Sequence, residues 1–276
     1  MPPPKPAHLE PSELGTKEYW DKLYATELAN HASNPEDTGT VWFDDSDAEA
    51  KMVQYLAELD DEGSLQARTI LDLGCGNGSL LRAVREELFA DGPPADADAS
   101  LTRLLGVDYS EASIALARSV DKEVSGDEES EVPIEFRVWD MLQGSAGDLD
   151  CPGGWDLVLD KGTFDAISLG NSAATTAATE ASQGGEGDGG ETIAGPSVEV
   201  QYRAKVVDLL RPGGKFLITS CNWTETELCA WMEDEEERAR GAWLVKAGRV
   251  AYPSFQFGGV QGQTVCTVCF EKKVAA

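Results

Sequence analysis

Histidine is almost absent from this chain. Only His8 and His31 occur in 276 residues, and both precede the first strand-like run. A histidine general base or a serine-histidine-aspartate triad therefore has no residue to use. Basic residues are scarce too, 22 lysines and arginines against 50 aspartates and glutamates, for a formal charge of −28. A polyanion would be repelled, and there is no basic stripe to release counterions, so a nucleic-acid substrate is excluded. The same charge would draw in a basic protein partner. No segment approaches the roughly 18 consecutive apolar residues of a membrane helix, and Met1–Pro11 is proline-rich without an apolar signal core. The expectation is a soluble, cytoplasmic, monomeric protein with no membrane partner. Six scattered cysteines suit reduced thiols. Cys266 and Cys269 fall three apart in a run of β-formers, where side chains point to opposite faces and cannot jointly grip a metal. No metal is expected.

What the chain does have is Ile-Leu-Asp-Leu-Gly-Cys-Gly-Asn-Gly over residues 70–78. An apolar strand runs into a glycine-rich turn, with the carboxylate of Asp72 two residues before the first glycine. Gly74, Gly76 and Gly78 can take backbone angles closed to other residues and let a ligand approach the main chain. A helical pattern follows over Ser79–Leu88, so strand, turn and helix open a Rossmann-like unit whose ligand sits at the carboxyl end of the strands.

Three more strand-like runs end in acidic residues. Leu104–Val107 ends at Asp108, followed by Tyr109, where a carboxylate can accept both ribose hydroxyls of a nucleoside. Ile134–Val138 runs into Trp139-Asp140-Met141, and Asp140 could accept from an adenine amino group. Trp155–Leu159 leads to Asp160-Lys161-Gly162-Thr163-Phe164-Asp165. Each Asp taken singly can equally be a helix N-cap or a turn residue. A nicotinamide dehydrogenase fits less well, since its glycine pattern wants glycine or alanine where Ser79 stands and does not call for Asp72. A P-loop is excluded, because Gly213-Gly214-Lys215 is followed by Phe216; Arg211-Pro212-Gly213-Gly214 reads as a turn between helix and strand.

With these pieces in order, the chain resembles a class I, seven-stranded S-adenosylmethionine-dependent methyltransferase. The closer likeness is to the Efm4-type lysine methyltransferases that modify translation elongation factor 1-alpha. It is carried by Tyr19-Trp20-Asp21 with Tyr24, Val41-Trp42-Phe43, the Asp160–Asp165 run, and Phe257-Gly258-Gly259 with Gly262, Val265, Thr267 and Phe270. The resemblance implies an α/β, Rossmann-like fold with a seven-stranded, mostly parallel sheet, helices on both faces and an antiparallel last strand. It implies S-adenosylmethionine held by Asp72 near the amino group, Gly74 and Gly76 beneath methionine and ribose, Asp108 and Tyr109 at the ribose, and Asp140 and Met141 around adenine. Trp20 would close over the site. Asp160, a cofactor contact as well, and Phe164 follow the fourth strand, where the superfamily places its substrate-facing motif, and are the catalytic candidates. Trp42, Phe43, Trp223 and Phe257 are candidate walls of a lysine channel. A small-molecule methyltransferase and a catalytically silent cofactor-binding module of the same fold remain as alternatives.

The rest of the chain reads simply. Residues 1–14 are expected to be disordered and 15–276 to form one methyltransferase domain. Thr16 can cap a helix over Lys17–Ala29 with Tyr19, Leu23 and Thr26/Glu27 at helical spacing. Further helices are expected over Asp44–Leu59, Glu111–Val120, Val198–Leu210 and Glu225–Arg240, and closing strands over Trp243–Phe257 and Val265–Lys272. Flexible insertions are expected near 89–100, 121–131 and 171–196, the last almost devoid of large apolar residues and unable to bury a core. Asn77-Gly78-Ser79 and Asn222-Trp223-Thr224 match a glycosylation pattern but read as incidental.

Overall fold

Ile70, Leu71 and Leu73 put apolar side chains on both faces of one strand, a pattern that is stable only between two covering layers. In the computed structural model, which describes residues 5–65, 67–93, 102–125, 130–170, 195–253, 255–257 and 260–275, they lie in β1 (Thr69–Leu73) and are fully buried. Strands β2 (Arg103–Asp108), β3 (Ile134–Val138), β4 (Trp155–Lys161) and β5 (Leu210–Ser220) run parallel to it. Beyond β5 the direction reverses. With β6 (Ala242–Arg249), a small hairpin of β7 (Phe255–Phe257) and β8 (Val260–Gly262), and β9 (Cys266–Val274), the order is β3-β2-β1-β4-β5-β9-β6. β9 is antiparallel to both β5 and β6. The expected seven-stranded, mostly parallel sheet is present.

Helices α1 (Lys17–Ser33), α2 (Ala48–Asp61), α3 (Ser79–Leu88), α4 (Glu111–Ser125), α5 (Thr163–Ser168), α6 (Val198–Leu209), α7 (Glu225–Met232) and α8 (Glu235–Arg240) surround the sheet. One apolar layer joins Leu71, Phe216 and Phe270 to Tyr202 and Trp231 of α6 and α7. The other joins Ile70, Leu157 and Leu217 to Met52 and Leu56 of α2 and to α3. Cys266 belongs to the first layer and Cys269 to the second, as a two-residue strand period requires. Among the described residues no helix is long and apolar enough to cross a membrane, and no group of acidic, histidine and cysteine side chains is arranged to hold a metal ion.

Several expectations give way to the structure. Thr16 does cap α1, accepting from the Tyr19 N–H at 3.3 Å, but the buried stripe is Tyr24, Glu27 and His31, one position on from the Tyr19–Leu23 spacing. Glu27 can be buried because the Thr40 N–H donates to it at 3.0 Å. The expected helix over Asp44–Leu59 is a 3-10 turn over Asp44–Ser46 and then α2, broken by Asp47 at φ 54°. Glu225–Arg240 is likewise two helices. Arg211–Gly214 falls inside β5 as an irregularity opposite Trp155–Leu157, with Gly213 at φ 77°. β6 stops at Arg249, and the helix before residue 126 extends into the expected insertion at 121–131. Most of 171–196, and residues 94–100 of the first insertion, lie outside the described residues.

The start of the chain is docked over residues 5–15. Lys5 pairs with Asp234 at 2.9 Å, His8 Nδ1 meets the buried Glu199 of α6 at 2.9 Å, and Leu9 packs on the first apolar layer. The Ser12 N–H then donates to Leu169 O at 3.1 Å. At Gly15 the backbone approaches residues 169–170 so closely that a Cβ would stand 2.1 Å from Leu169 O. Polar anchors and one apolar side chain offset the low hydrophobicity that made this segment read as disordered.

Candidate active site

β1, β2, β3 and β4 all end at one rim, where a cavity of about 390 Å³ opens. Its floor is Leu73 and Gly74 from the end of β1 and Gly162 and Thr163 from the start of α5; one side is Asp108, Tyr109, Asp140 and Met141, and the roof is Trp20, Tyr24, Trp42 and Phe43. Of the ten residues expected from sequence, six line it: Trp20, Gly74, Asp108, Tyr109, Asp140 and Met141. The docked N-terminal segment adds Leu14 and Gly15, which nothing in its composition signals.

The glycine turn is fitted to the protein's own side chains as much as to a ligand. Gly74 and Gly76 have φ of 63° and 54°, a region costly for residues with a Cβ. A Cβ on Gly74 would stand 2.1 Å from Thr163 Oγ1, and one on Gly76 would stand 2.7 Å from the Tyr24 hydroxyl. Gly76 is therefore not in the cavity wall. It serves from behind, donating its N–H to Asp108 Oδ2 at 3.3 Å, while the Ser110 N–H donates to Oδ1 at 2.9 Å. Burial pushes the Asp108 carboxyl up, and the hydrogen bonds from Ser110, Ser113 and Gly76 work against that rise.

On the adjoining strand, Asp140 Oδ1 accepts from the Leu142 and Gln143 N–H groups at 2.8 and 3.1 Å, the turn role open to any such Asp. Its Oδ2 makes no hydrogen bond to described residues and is left for a ligand. Overhead, the Trp20 indole donates to Leu14 O at 2.7 Å and meets the Trp42 ring edge-on at 5.1 Å between centroids. Lys161 Nζ holds the Trp42 segment down by donating to its carbonyl at 3.1 Å. Phe43, at φ 65°, closes the arch against Gly162.

Asp72, Asp160 and Phe164 stand outside the cavity. Asp72 is buried beneath the rim with Lys161, Asp160 and Glu49 as charged neighbours; burial raises its carboxyl well above the ordinary value, Lys161 opposing. Asp160 is wholly buried. Its Oδ1 accepts from the Thr163 N–H at 2.8 Å, and its Oδ2 accepts from the Phe164 N–H at 2.9 Å and from the Tyr202 hydroxyl. In this structure it is a helix-capping carboxylate outside the cavity lining, where a reacting group and a cofactor contact were expected. Phe164 is a core residue against Tyr202 and Trp223, with ring centroids 4.9 and 6.2 Å away. The expected wall Trp223 is buried with it, while the Phe257 side chain lies outside the described residues.

In the Asp160–Asp165 run the cavity is lined by Thr163 and Asp165 and not by the expected Asp160 and Phe164. Thr163 reaches the cavity and ties α5 to β1 by donating to Leu73 O at 2.7 Å. Asp165 also lines it. Asp165 accepts from the Ser220 hydroxyl and from the Cys221 N–H at 2.8 Å, clasping the turn after β5 that carries Cys221 and Asn222 into the wall. Asn222 carries only the incidental glycosylation pattern as a sequence signal, and Cys221 is only one of six scattered cysteines.

A methyltransferase-domain family profile matches residues 65–259, which span β1 to the β7–β8 hairpin. The chain is 39% identical to protein-lysine N-methyltransferase EFM4 of Saccharomyces cerevisiae over 271 residues, covering 97% of this chain and 98% of the relative. It is 30% identical to EEF1A lysine methyltransferase 2 of Homo sapiens, covering 95% and 88%. The chain belongs to the Efm4 family of protein-lysine methyltransferases. Among solved structures, the N-methyltransferase NodS of Bradyrhizobium japonicum with S-adenosyl-l-homocysteine matches with a TM-score of 0.50 at 15% identity over 91% of this chain and 97% of that one, a likeness of fold.

As an Efm4-family enzyme the chain uses S-adenosylmethionine, and the cavity fits it. Gly74 offers main chain without a Cβ at the end of β1, Asp108 and Asp140 offer carboxylate oxygens at the next two strand ends, and Trp20, Tyr109 and Met141 offer apolar surface between them. Gly74→Ala is expected to abolish this fit: titration calorimetry with S-adenosylhomocysteine should show at least a tenfold loss of affinity, because either Thr163 or the turn must move. Unchanged affinity would place the cofactor elsewhere.

Proposed function

We propose that this Efm4-family enzyme methylates a lysine side chain of translation elongation factor 1-alpha. The observation that carries the reading is the identity to EFM4 over essentially both whole chains, joined by relatives named for EEF1A as far as Homo sapiens. The formal charge of −28 favours a basic protein partner and disfavours nucleic acid. We further place the enzyme in the cytoplasm, acting as a monomer.

A free lysine has a pKa of about 10.4, so near pH 7 only roughly one in 2500 is neutral, a handicap of about 4.6 kcal/mol. Trp42, Phe43, Ile167 and Val198 give the cavity that Cys221 and Asn222 also line an apolar wall, which disfavours the charged ammonium. When bound, the cofactor supplies an electrophilic methyl group on a sulfonium, whose positive charge also disfavours a protonated amine. The chain's own residues hold the two ends in line, which can contribute several kcal/mol. Asp108 and Asp140 fix the nucleoside end, and the aromatic arch excludes water.

Incubation of the purified enzyme with labelled cofactor and purified elongation factor 1-alpha, followed by peptide mapping, should give label on a single lysine. Label confined to other proteins of an extract would move the target while leaving the family chemistry in place.

A further inference from the structure

We propose that the acceptor lysine reaches the active site through a second cavity, from which Asn222 receives its amine, and that Asp44 and Asp45 at its rim select a basic segment of the substrate protein. The proposal rests on the lysine-methylating reading above. The second cavity, about 350 Å³, lies between the turn from β5 to α7 and the segment leading into β9. Cys221 and Asn222 line both it and the cofactor cavity, so the two spaces adjoin at these residues.

Asn222 is held for such a role. Its N–H donates to Ser220 Oγ at 3.1 Å, the Trp223 N–H donates to the same oxygen at 3.0 Å, and the Ser220 hydroxyl in turn donates to Asp165. The backbone is thus fixed by buried partners while the side chain is exposed. Its only side-chain hydrogen bond among described residues is a weak one, from the Cys221 thiol at 3.8 Å to Oδ1. An amide oxygen suits the task better than a carboxylate. It accepts an N–H from a neutral amine and directs the lone pair without stabilising the ammonium form as an opposite charge would.

The rim supplies exposed charge, whereas the Asp165 carboxylate at the junction is buried and engaged by Ser220 and Cys221. Ser46 Oγ meets Thr264 Oγ1 at 2.8 Å, which fixes the Asp44–Ser46 turn beside the second cavity. Asp45 lies near enough to Cys221 for its charge to help raise that thiol, behind burial and Asp165. Asp44 and Asp45 are exposed and have no cation partner among the described residues. Glu225, the carboxylate inside the cavity, is by contrast engaged by Lys246 and by Arg249 at 2.9 Å. An entrance with two carboxylates that have no cation partner among the described residues, leading to a neutral amide, fits a lysine flanked by basic residues, and the flanks would bind without the target amine being held protonated.

The test separates entry from chemistry. A dye-labelled, end-blocked heptapeptide with one central lysine flanked by arginines is titrated by fluorescence anisotropy, alongside the same heptapeptide with glutamate flanks. The wild type should bind the arginine form at least tenfold more tightly. The double variant Asp44→Lys, Asp45→Lys should lose that preference while its calorimetric affinity for S-adenosylhomocysteine stays within twofold. Asn222→Ala should keep peptide affinity within twofold and lose at least tenfold in kcat. Asn222→Asp should shift the pH profile of kcat upward, because a carboxylate favours the ammonium. Failure of the wild type to prefer the arginine peptide, an unaltered preference in the double variant, or wild-type kcat and pH profile in both Asn222 variants overturns the proposal. A wild type that methylates no protein lysine would instead overturn the functional reading on which it rests.

Discussion

Asp108→Ala is expected to bind S-adenosylhomocysteine about a hundredfold more weakly than the wild type in titration calorimetry. The carboxylate is 7% exposed, lines the cavity, and is oriented by two backbone N–H groups. Hydrogen bonds to a charged acceptor contribute about 1.5–3 kcal/mol each, so loss of one or two to ribose hydroxyls gives about 2.7 kcal/mol. The Ser110 and Gly76 N–H groups lose their acceptor as well, which should cost a few degrees in melting temperature without unfolding the chain. Acid should mimic the variant. Because burial raises this carboxyl, it protonates at a higher pH than a free aspartate, and cofactor affinity should decline on acidification earlier than an exposed carboxylate would allow. Wild-type affinity in Asp108→Ala would remove Asp108 from the cofactor site.

The fold and the site differed in how much of each the sequence could disclose. Apolar strands ending in glycine or aspartate announce a parallel sheet and its rim without reference to distant contacts, which is why β1 to β4 and α3 were legible and why Gly74, Asp108 and Asp140, picked out at the strand ends, are among the residues that line the cavity there. Asp160 could not, because an aspartate at a strand end can face the ligand or cap the next helix with the same local sequence. The choice was made by Tyr202, 42 residues away, whose hydroxyl donates to it and seals it in the core. Asn222 and the docked residues 5–15 escaped for a related reason. Their positions are set by the Asp165–Ser220 clasp and by Glu199 and Asp234, partners that no periodicity or composition connects.

Asp160→Ala should lower stability before it touches chemistry. It strips the acceptor from the Thr163 and Phe164 N–H groups and from the Tyr202 hydroxyl. At about 1–3 kcal/mol per buried donor left unpaired, the loss is about 3 kcal/mol or more, read as a fall of roughly 6–12 °C in melting temperature. Ionisation gives a second readout. Burial raises the Asp160 carboxyl to about 7, with the Tyr202 hydrogen bond opposing the rise, against about 3.9 in the unfolded chain. The folded state therefore holds a proton that the unfolded state has released between these values. The stability this proton contributes is fully present below about pH 4 and is lost as pH rises through about 7, a change on the order of 4 kcal/mol. Asp160→Asn cannot titrate, so the difference between its urea-unfolding free energy and that of the wild type should vary with pH by that order and flatten outside the window. Its kcat should stay within a few-fold of wild type, since Asp160 reaches the cavity only through Thr163, which donates to Leu73 O and fills the space beside Gly74. Wild-type stability across this pH range together with a hundredfold loss of kcat in Asp160→Asn would return Asp160 to the reacting centre and require the cavity floor to open in the working enzyme.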